Sequence, residues 1–290
     1  MYIFLLALIG LTFLISWHGS GILSHLTPHS QNMFGREKAR IRTRLVFISM
    51  DLQMYVQVIS RMRRVSNCFS EEKNTGYYLE TLWLGLRLYR GLFVNSLGVR
   101  APLFCGHKLT YNCNLRCKMC PFWKRSSTDS SLEKEKAILK RIYDSGVCGI
   151  AFEGGEPLLR NDLVTIPAFS RSLPLHTSLI TNGSLLESRI DEIASYINGV
   201  VYVSLDGLEK THDTIRGVSG CFGKAVRGII ASREKVSVTI NTTIMAENVH
   251  EIEDLVKLAK ELDIRISVAV AHEYCNAPRR THLPVTKSER

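Results

Sequence analysis

From Lys108 onward, short runs of apolar and β-branched residues alternate with stretches of helical periodicity, and this alternation leaves few architectures open to the chain. Candidate strands are 108–111, 149–152, 176–180, 200–204, 237–242 and 265–270. Strands separated by helices imply repeated β–α units with right-handed crossovers and a parallel sheet. The expected fold is α/β, a partial (β/α)6 TIM-like barrel whose functional loops lie at the carboxyl ends of the strands. Helix signals fit between the strands. Ser130 with Glu133 reads as a capping box ahead of Ala137, Ile138, Ile142 and Tyr143, Gly146 can close that helix, and Asn248 with Glu251 repeats the logic. Further helices are expected over 161–170, where Pro167 limits regularity, over 184–198 and over 222–235.

An N-terminal hydrophobic and helical extension precedes this unit. Residues 1–17 are apolar apart from Thr12 and Ser16, and no Lys, Arg, Asp or Glu occurs before Arg36, so 1–35 reads as a membrane anchor at the short end of a bilayer span. Residues 36–102 form a basic and amphipathic region. Arg36, Lys38, Arg40, Arg42, Arg44, Arg61, Arg63 and Arg64 account for much of the formal charge of +10, and the five from Arg36 to Arg44 would hold the C-terminal side in the cytoplasm. A basic run beside an apolar one points to an anionic membrane surface, and no nucleic-acid-reading motif is present. The alternative start sites Met33, Met50 and Met54 would give a soluble protein. Leu79, Leu82, Trp83, Leu86, Phe93 and Leu97 recur near helical spacing, as expected of a helix that lies on a membrane or packs on the main domain. The core domain is placed at 103–270 and a C-terminal tail at 271–290.

Three of the eight cysteines, Cys113, Cys117 and Cys120, crowd into one loop after the first strand, a pattern that suits a metal site better than disulfides. Three thiolates on one loop can wrap a compact inorganic centre and leave one iron open to a small molecule. A zinc site completed by Cys105 or His107, and a redox pair at Cys117 and Cys120, are the competing readings of the cysteines alone. Cys68, Cys105, Cys148 and Cys221 read as small hydrophobes.

The run Cys113-x3-Cys117-x2-Cys120 resembles that of the radical S-adenosylmethionine superfamily, although Met119 stands where many members carry an aromatic residue. The second strand is followed by Gly154-Gly155-Glu156-Pro157, similar to the family's motif for the methionine end of S-adenosylmethionine. Glycines there allow close backbone approach and the carboxylate can accept from an ammonium group. Strand three ends in Thr181-Asn182-Gly183, and strand four in Ser204-Leu205-Asp206-Gly207, with His212, Asp213 and Arg216 downstream. This resembles the branch of the family that modifies peptides and other complex substrates. It implies that Ser204 contacts the ribose and Arg216 the methionyl carboxylate. Asp206 assists or caps a turn, Asn182 contacts the ligand or forms a left-handed turn, and Asn241 is a further candidate for the adenosine side.

The resemblance implies one [4Fe-4S] cluster on Cys113, Cys117 and Cys120, S-adenosylmethionine as co-substrate, and an electron donor such as ferredoxin or flavodoxin. Reductive cleavage would give a 5′-deoxyadenosyl radical that abstracts hydrogen from a substrate in the barrel mouth. The apolar N-terminus favours a membrane lipid or isoprenoid substrate and association with the membrane. The strand-four motif favours a peptide or soluble metabolite. A non-catalytic iron–sulfur or zinc module is the third reading, against which the nucleotide-pocket residues argue.

Overall fold

The computed structural model describes residues 75–125 and 128–271. The anchor expected at 1–35, the basic run at 36–64 and the tail after 271 lie outside them. Among the described residues no helix is long and apolar enough to cross a membrane.

The chain enters through helix α1 (Thr75–Ser96) and then alternates strand and helix. The strands are β1 (Phe104–Thr110), β2 (Gly149–Gly154), β3 (His176–Thr181), β4 (Val200–Ser204), β5 (Ser237–Ile244) and β6 (Arg265–Val270). Between them run α2 (Leu132–Asp144), α3 (Thr165–Ser172), α4 (Leu186–Ile193), α5 (Glu209–Arg216), α6 (Cys221–Ser232) and α7 (Ile252–Glu261). All neighbouring strands pair in parallel in the order β1-β2-β3-β4-β5-β6, with β1 and β6 as the two edges. The sheet is thus an open, partial barrel, as the alternation predicts.

One face of the sheet makes the main core. Leu109, Ile150, Phe152, Leu179, Val201, Val203 and Ile240 pack against Leu139 of α2, Ile166 of α3, Ile190 of α4, Ile229 of α6 and Leu255 of α7. Because side chains alternate along a strand, the residues between them face the barrel interior.

The helix boundaries show which local signals won. Ser131, not Ser130, caps α2, its hydroxyl accepting from the Lys134 amide, and Gly146 takes a left-handed φ of 96° just beyond the C-terminus. Pro167 falls in the first turn of α3, where its missing N–H costs no helix bond. The second expected capping box does not form. Asn248 instead donates from Nδ2 to the carbonyls of Asp206 and Thr243, both at 2.8 Å, and Glu251 accepts from the Leu208 amide and the Thr211 hydroxyl. Helix α5 has no counterpart among the helices expected from the sequence pattern.

Helix α1 covers the amino ends of β1 and β2. Leu84 and Leu88 pack on Cys148, Leu103 and Phe104, and Arg87 donates to the carbonyls of Tyr143 at 2.6 Å and Val147 at 2.9 Å. Its outer face leaves Leu82, Trp83, Leu86 and Phe93 exposed.

Since Phe152 is fully buried at the centre of the core, Phe152→Ala is expected to lower unfolding free energy by about 3–5 kcal/mol in urea titration. Leu86→Ala on the exposed face should change it by under about 0.5 kcal/mol.

Candidate functional site

The site forms where β1 ends. A register slip against β2 between Lys108 and Thr110 bends the chain out of the sheet, and the cysteine loop follows. Three neighbouring elements hold that loop, two by its backbone and one by the Asn114 side chain.

On the β2 side, the Gly155 amide donates to the Thr110 carbonyl at 2.7 Å and the Glu156 amide to the Asn112 carbonyl at 2.8 Å. A Cβ on Gly154 would stand 2.4 Å from the Thr110 carbonyl oxygen, and one on Gly155 2.2 Å from that of Asn112. Both obstacles are backbone, so neither can yield. On the α5 side, the amides of Arg116 and Lys118 donate to the carbonyls of Arg216 and Ile215, each at 2.9 Å. Those acceptors belong to the last turn of α5, where carbonyls lack helical partners. On the β3 side, Asn182 donates from Nδ2 to Asn114 Oδ1 at 2.9 Å, and Asn114 donates to the Ser184 hydroxyl at 2.8 Å.

Glu156 is wholly buried and its carboxylate is spent on the protein. Oε1 accepts from the Leu158 amide at 3.0 Å and the Thr181 hydroxyl at 2.7 Å, and Oε2 accepts from the Asn182 amide at 2.7 Å. Burial pushes its pKa up, and these three donors pull it down. Pro157 starts the short 3-10 turn that Glu156 caps.

The three thiols share one pocket with Leu115, Met119, Val218 and Cys221. Burial pushes the Cys113 thiol up to about 11, and Cys117 and Cys120 add to the shift. Burial also raises Cys117, opposed by the charge of Arg216. Three sulfurs gathered on one loop, that of Cys117 buried and those of Cys113 and Cys120 half-buried, suit a positively charged centre among them such as an iron–sulfur cluster. The competing zinc set does not assemble. His107 Nε2 meets Glu135 at 2.6 Å on the helix-facing side of β1, and Cys105 lies two residues earlier on the same strand. Among the described residues no three His, Cys, Asp or Glu are placed to hold a single metal ion. Ligands of a four-iron cluster bind separate irons and stand farther apart.

A buried charge lies beneath the loop. Arg216 contacts Asp206 Oδ2 at 2.6 Å and donates to Cys117 Sγ at 3.7 Å. Burial works against the Arg216 charge, but Asp206 and Cys117 hold the guanidinium firmly protonated. Burial pushes Asp206 up, while Arg216 and the Thr243 amide, which donates to Oδ1 at 2.8 Å, favour its anion. The Asp206 amide donates to Nδ1 of His212, so the ring proton sits on Nε2. Burial, then the Arg216 charge, depress His212 to about 3, and it stays neutral. Nε of Arg216 and Nε2 of His212 are buried donors without a partner, a free capacity that an anionic ligand group would satisfy. Ser204 ends β4 half-buried beside Asn241 of β5, both on the interior face.

The expected residues therefore gather, but the glycines, Glu156 and Asn182 contact the cysteine loop and its supports. Asn114, to which the sequence assigns nothing, completes that scaffold with Thr181, and Asp213 caps α6 by accepting from the amides of Gly220 and Phe222 and from the Cys221 thiol; Thr181 and Asp213 stand in the sequence motifs without an assigned role. The only sequence signal for Asn114 was its place between two cysteines.

A three-sided cysteine loop at the carboxyl edge of an open parallel barrel, over a buried arginine, defines the class. The sequence matches the family described as the Radical SAM superfamily over residues 108–259, just over half of the chain, and the chain belongs to that superfamily, whose enzymes use a [4Fe-4S] cluster and S-adenosylmethionine. It is 32% identical over 158 residues to Fe-coproporphyrin III synthase of Methanosarcina barkeri, covering 53% of this chain and 40% of the relative. It is 32% identical over 191 residues to PqqA peptide cyclase of Rhodopseudomonas palustris, covering 63% and 50%. The chain thus spans about half the length or less of the curated relatives it matches. Among solved structures, Streptococcus suis SuiB bound to S-adenosylmethionine shares the fold with a TM-score of 0.57 at 22% identity, covering 74% of this chain and 51% of that one.

Replacing Glu156 with Ala would strand two buried amides and a hydroxyl, with an expected loss of about 3–5 kcal/mol of stability. Glu156→Gln keeps an acceptor and should lose less, and urea titration of both variants beside wild type measures the difference.

Proposed function

We propose that this chain is the S-adenosylmethionine-cleaving core of a radical enzyme whose substrate is polar, a peptide or a soluble metabolite. Cys113, Cys117 and Cys120 would hold the cluster and Arg216 would meet the methionyl carboxylate through its unpartnered Nε. Ser204 and Asn241 are placed for the ribose side. When bound, the cluster and S-adenosylmethionine supply reductive cleavage of the sulfonium bond and a hydrogen-abstracting 5′-deoxyadenosyl radical. Gly154, Gly155, Glu156, Pro157 and Asn182 act one step back, fixing the loop that carries the cysteines. Asp206 holds Arg216 ionised in a buried setting, where a lone charge would be costly. The core boundaries 103–270 remain the working domain definition.

The observation that carries the substrate class is the barrel interior. Lys108 pairs with Glu153 at 2.9 Å, and Ser204, Asn241 and Ser267 stand side by side across β4, β5 and β6. A hydrocarbon chain seated there would take these groups out of water without replacing their partners, at about 1–3 kcal/mol for each one left unsatisfied. A polar substrate meets them with its own donors and acceptors. The lipid or isoprenoid substrate expected from the N-terminus is the poorer match to these polar groups, although Ile180 and Tyr202 pair on the same interior face. The relative described as a peptide cyclase agrees with the polar reading.

Membrane association is a separate reading that rests on α1. Its outer face exposes Leu82, Trp83, Leu86 and Phe93 with Arg90, and no acidic residue occurs between Thr81 and Ser96. Leu86→Glu with Phe93→Glu is expected to reduce cosedimentation with anionic phosphatidylserine vesicles if that face docks.

The central test is anaerobic reconstitution, dithionite reduction and chromatography of 5′-deoxyadenosine. Wild type should form it, and Cys117→Ala should fall by about a hundredfold or more, since loss of one ligand removes the cluster. Equal yields from both proteins would reject the assignment. With deuterated soluble peptide and deuterated lipid fractions as alternatives, label should enter 5′-deoxyadenosine from the former.

A further inference from the structure

Several cations of the helical shell are neutralised by nearby acids. Lys136 pairs with Glu133, Lys140 with Asp144, Arg189 with Glu192, Arg227 with Glu187 and Lys257 with Asp254. The cysteine loop is built differently. From Thr81 to Thr128 the chain contains no Asp or Glu. Arg116, Lys118, Lys124 and Arg125 are all exposed, and among the described residues none of them forms an ion pair with a carboxylate. The next acid, Asp129, is turned away into the Thr110 hydroxyl at 2.6 Å and the Asn112 amide at 3.3 Å.

Three of these cations, Arg116, Lys124 and Arg125, sit over aromatic faces. Trp123 donates from Nε1 to the Cys117 carbonyl at 3.1 Å, and its ring lies 5.2 Å from both the Arg116 guanidinium and Lys124 Nζ. Arg125 lies 5.2 Å from the Phe122 ring and 5.6 Å from that of Tyr111. A cation held over a ring keeps its charge while losing some of its freedom, so little ordering remains to be done when an anionic partner arrives. The patch is also continuous with the cysteines in both sequence and space. Pro121, Phe122, Trp123 and Lys124 follow Cys120 directly, and the Trp123 bond ties the short 3-10 turn back to Cys117.

We propose that Arg116, Lys118, Lys124 and Arg125 form the docking surface for an acidic one-electron donor protein. The inference rests on Cys113, Cys117 and Cys120 holding the iron–sulfur centre and adds the route by which its electron arrives. The exchange balances simply: the donor is oxidised by one electron, the centre is reduced by one, and no bond or proton changes hands. An unneutralised positive field beside the electron acceptor steers an acidic donor toward that edge and brings the two redox centres close. A patch on the far side of the barrel would steer it to the wrong place.

The test uses the full chain, reconstituted, and reduced flavodoxin as an acidic donor, with dithionite as a small reductant that needs no docking surface. Iron content and absorbance are measured first, so failure to hold a cluster, which would reject the underlying assignment, is seen before any donor is added. Cluster reduction is then followed by stopped flow in wild type and in Lys124→Glu/Arg125→Glu. The expected result is a fall of about tenfold or more in the flavodoxin rate at low ionic strength, with the two proteins converging as salt screens the field. Dithionite should reduce both to the same extent. Equal flavodoxin rates at low salt, or a wild-type rate indifferent to salt, would overturn the proposal. So would an equal fall with dithionite, which would make the patch a support of the loop. A variant with normal flavodoxin kinetics but weakened binding of an acidic peptide or of nucleic acid would reassign the surface to that ligand.

Discussion

The close backbone contact between the Gly154-Gly155 turn and the end of β1 is the constraint on which the rest of the site depends. Two strand ends meet so tightly that a single methyl group on either glycine would fall inside the Thr110 or Asn112 carbonyl. That approach lets the amides of Gly155 and Glu156 bind the first residues of the cysteine loop, which leaves the sheet with no regular structure of its own to hold it. Once the turn is set, Glu156 is buried behind it. Its carboxylate can be satisfied there only by the Leu158 amide, the Thr181 hydroxyl and the Asn182 amide, so β3 is drawn into the same assembly.

The C-terminus of α5 supplies the other half. Arg116 and Lys118 complete the helix's last carbonyls, and Gly217 closes the helix with a φ of 71°, close against the Arg116 backbone. The same turn carries Arg216 beneath Cys117. A guanidinium in so buried a place needs an anion, and Asp206, at the end of β4, is fixed for that purpose by the Thr243 amide and by the neutral His212 ring. The loop is therefore positioned by backbone bonds on its rim and by one buried charge below. The positive charges outside it have no carboxylate partner among the described residues because the local acids are either absent or committed elsewhere.

The fold was largely legible because strands covered on one face by helices need apolar residues whatever their partners. Runs such as Gly149–Phe152 and Val200–Val203 can hardly be read otherwise. The first strand starts four residues before the 108–111 that its pattern predicts, because Phe104, Cys105 and His107 are only partly covered, Gly106 is exposed, and the four form no apolar run. Helix α5 escaped notice because Glu-Lys-Thr-His-Asp-Thr-Ile-Arg offers almost no apolar stripe; its buried residues include His212 and Arg216, which are burial sites only because the pocket is there. Asn248 misled for the same reason. A side chain with both donor and acceptor suits a helix cap, yet here two strand-end carbonyls and the Met245 amide outbid the helix for it.

The gap between motif and role in the site has a similar origin. Cysteine spacing and Gly-Gly-Glu-Pro identify which residues come together, since both follow from local geometry after a strand. They do not say whether a carboxylate faces the ligand or the scaffold, because that depends on donors from β3 that are distant in sequence. Glu156, with every hydrogen bond directed into the protein, and Arg216, with one buried donor left over, share the same pocket and the same motif logic. The unsatisfied group is the one with something left to offer a ligand. By that criterion the structure separates Arg216 from Glu156, a distinction that spacing along the chain could not make.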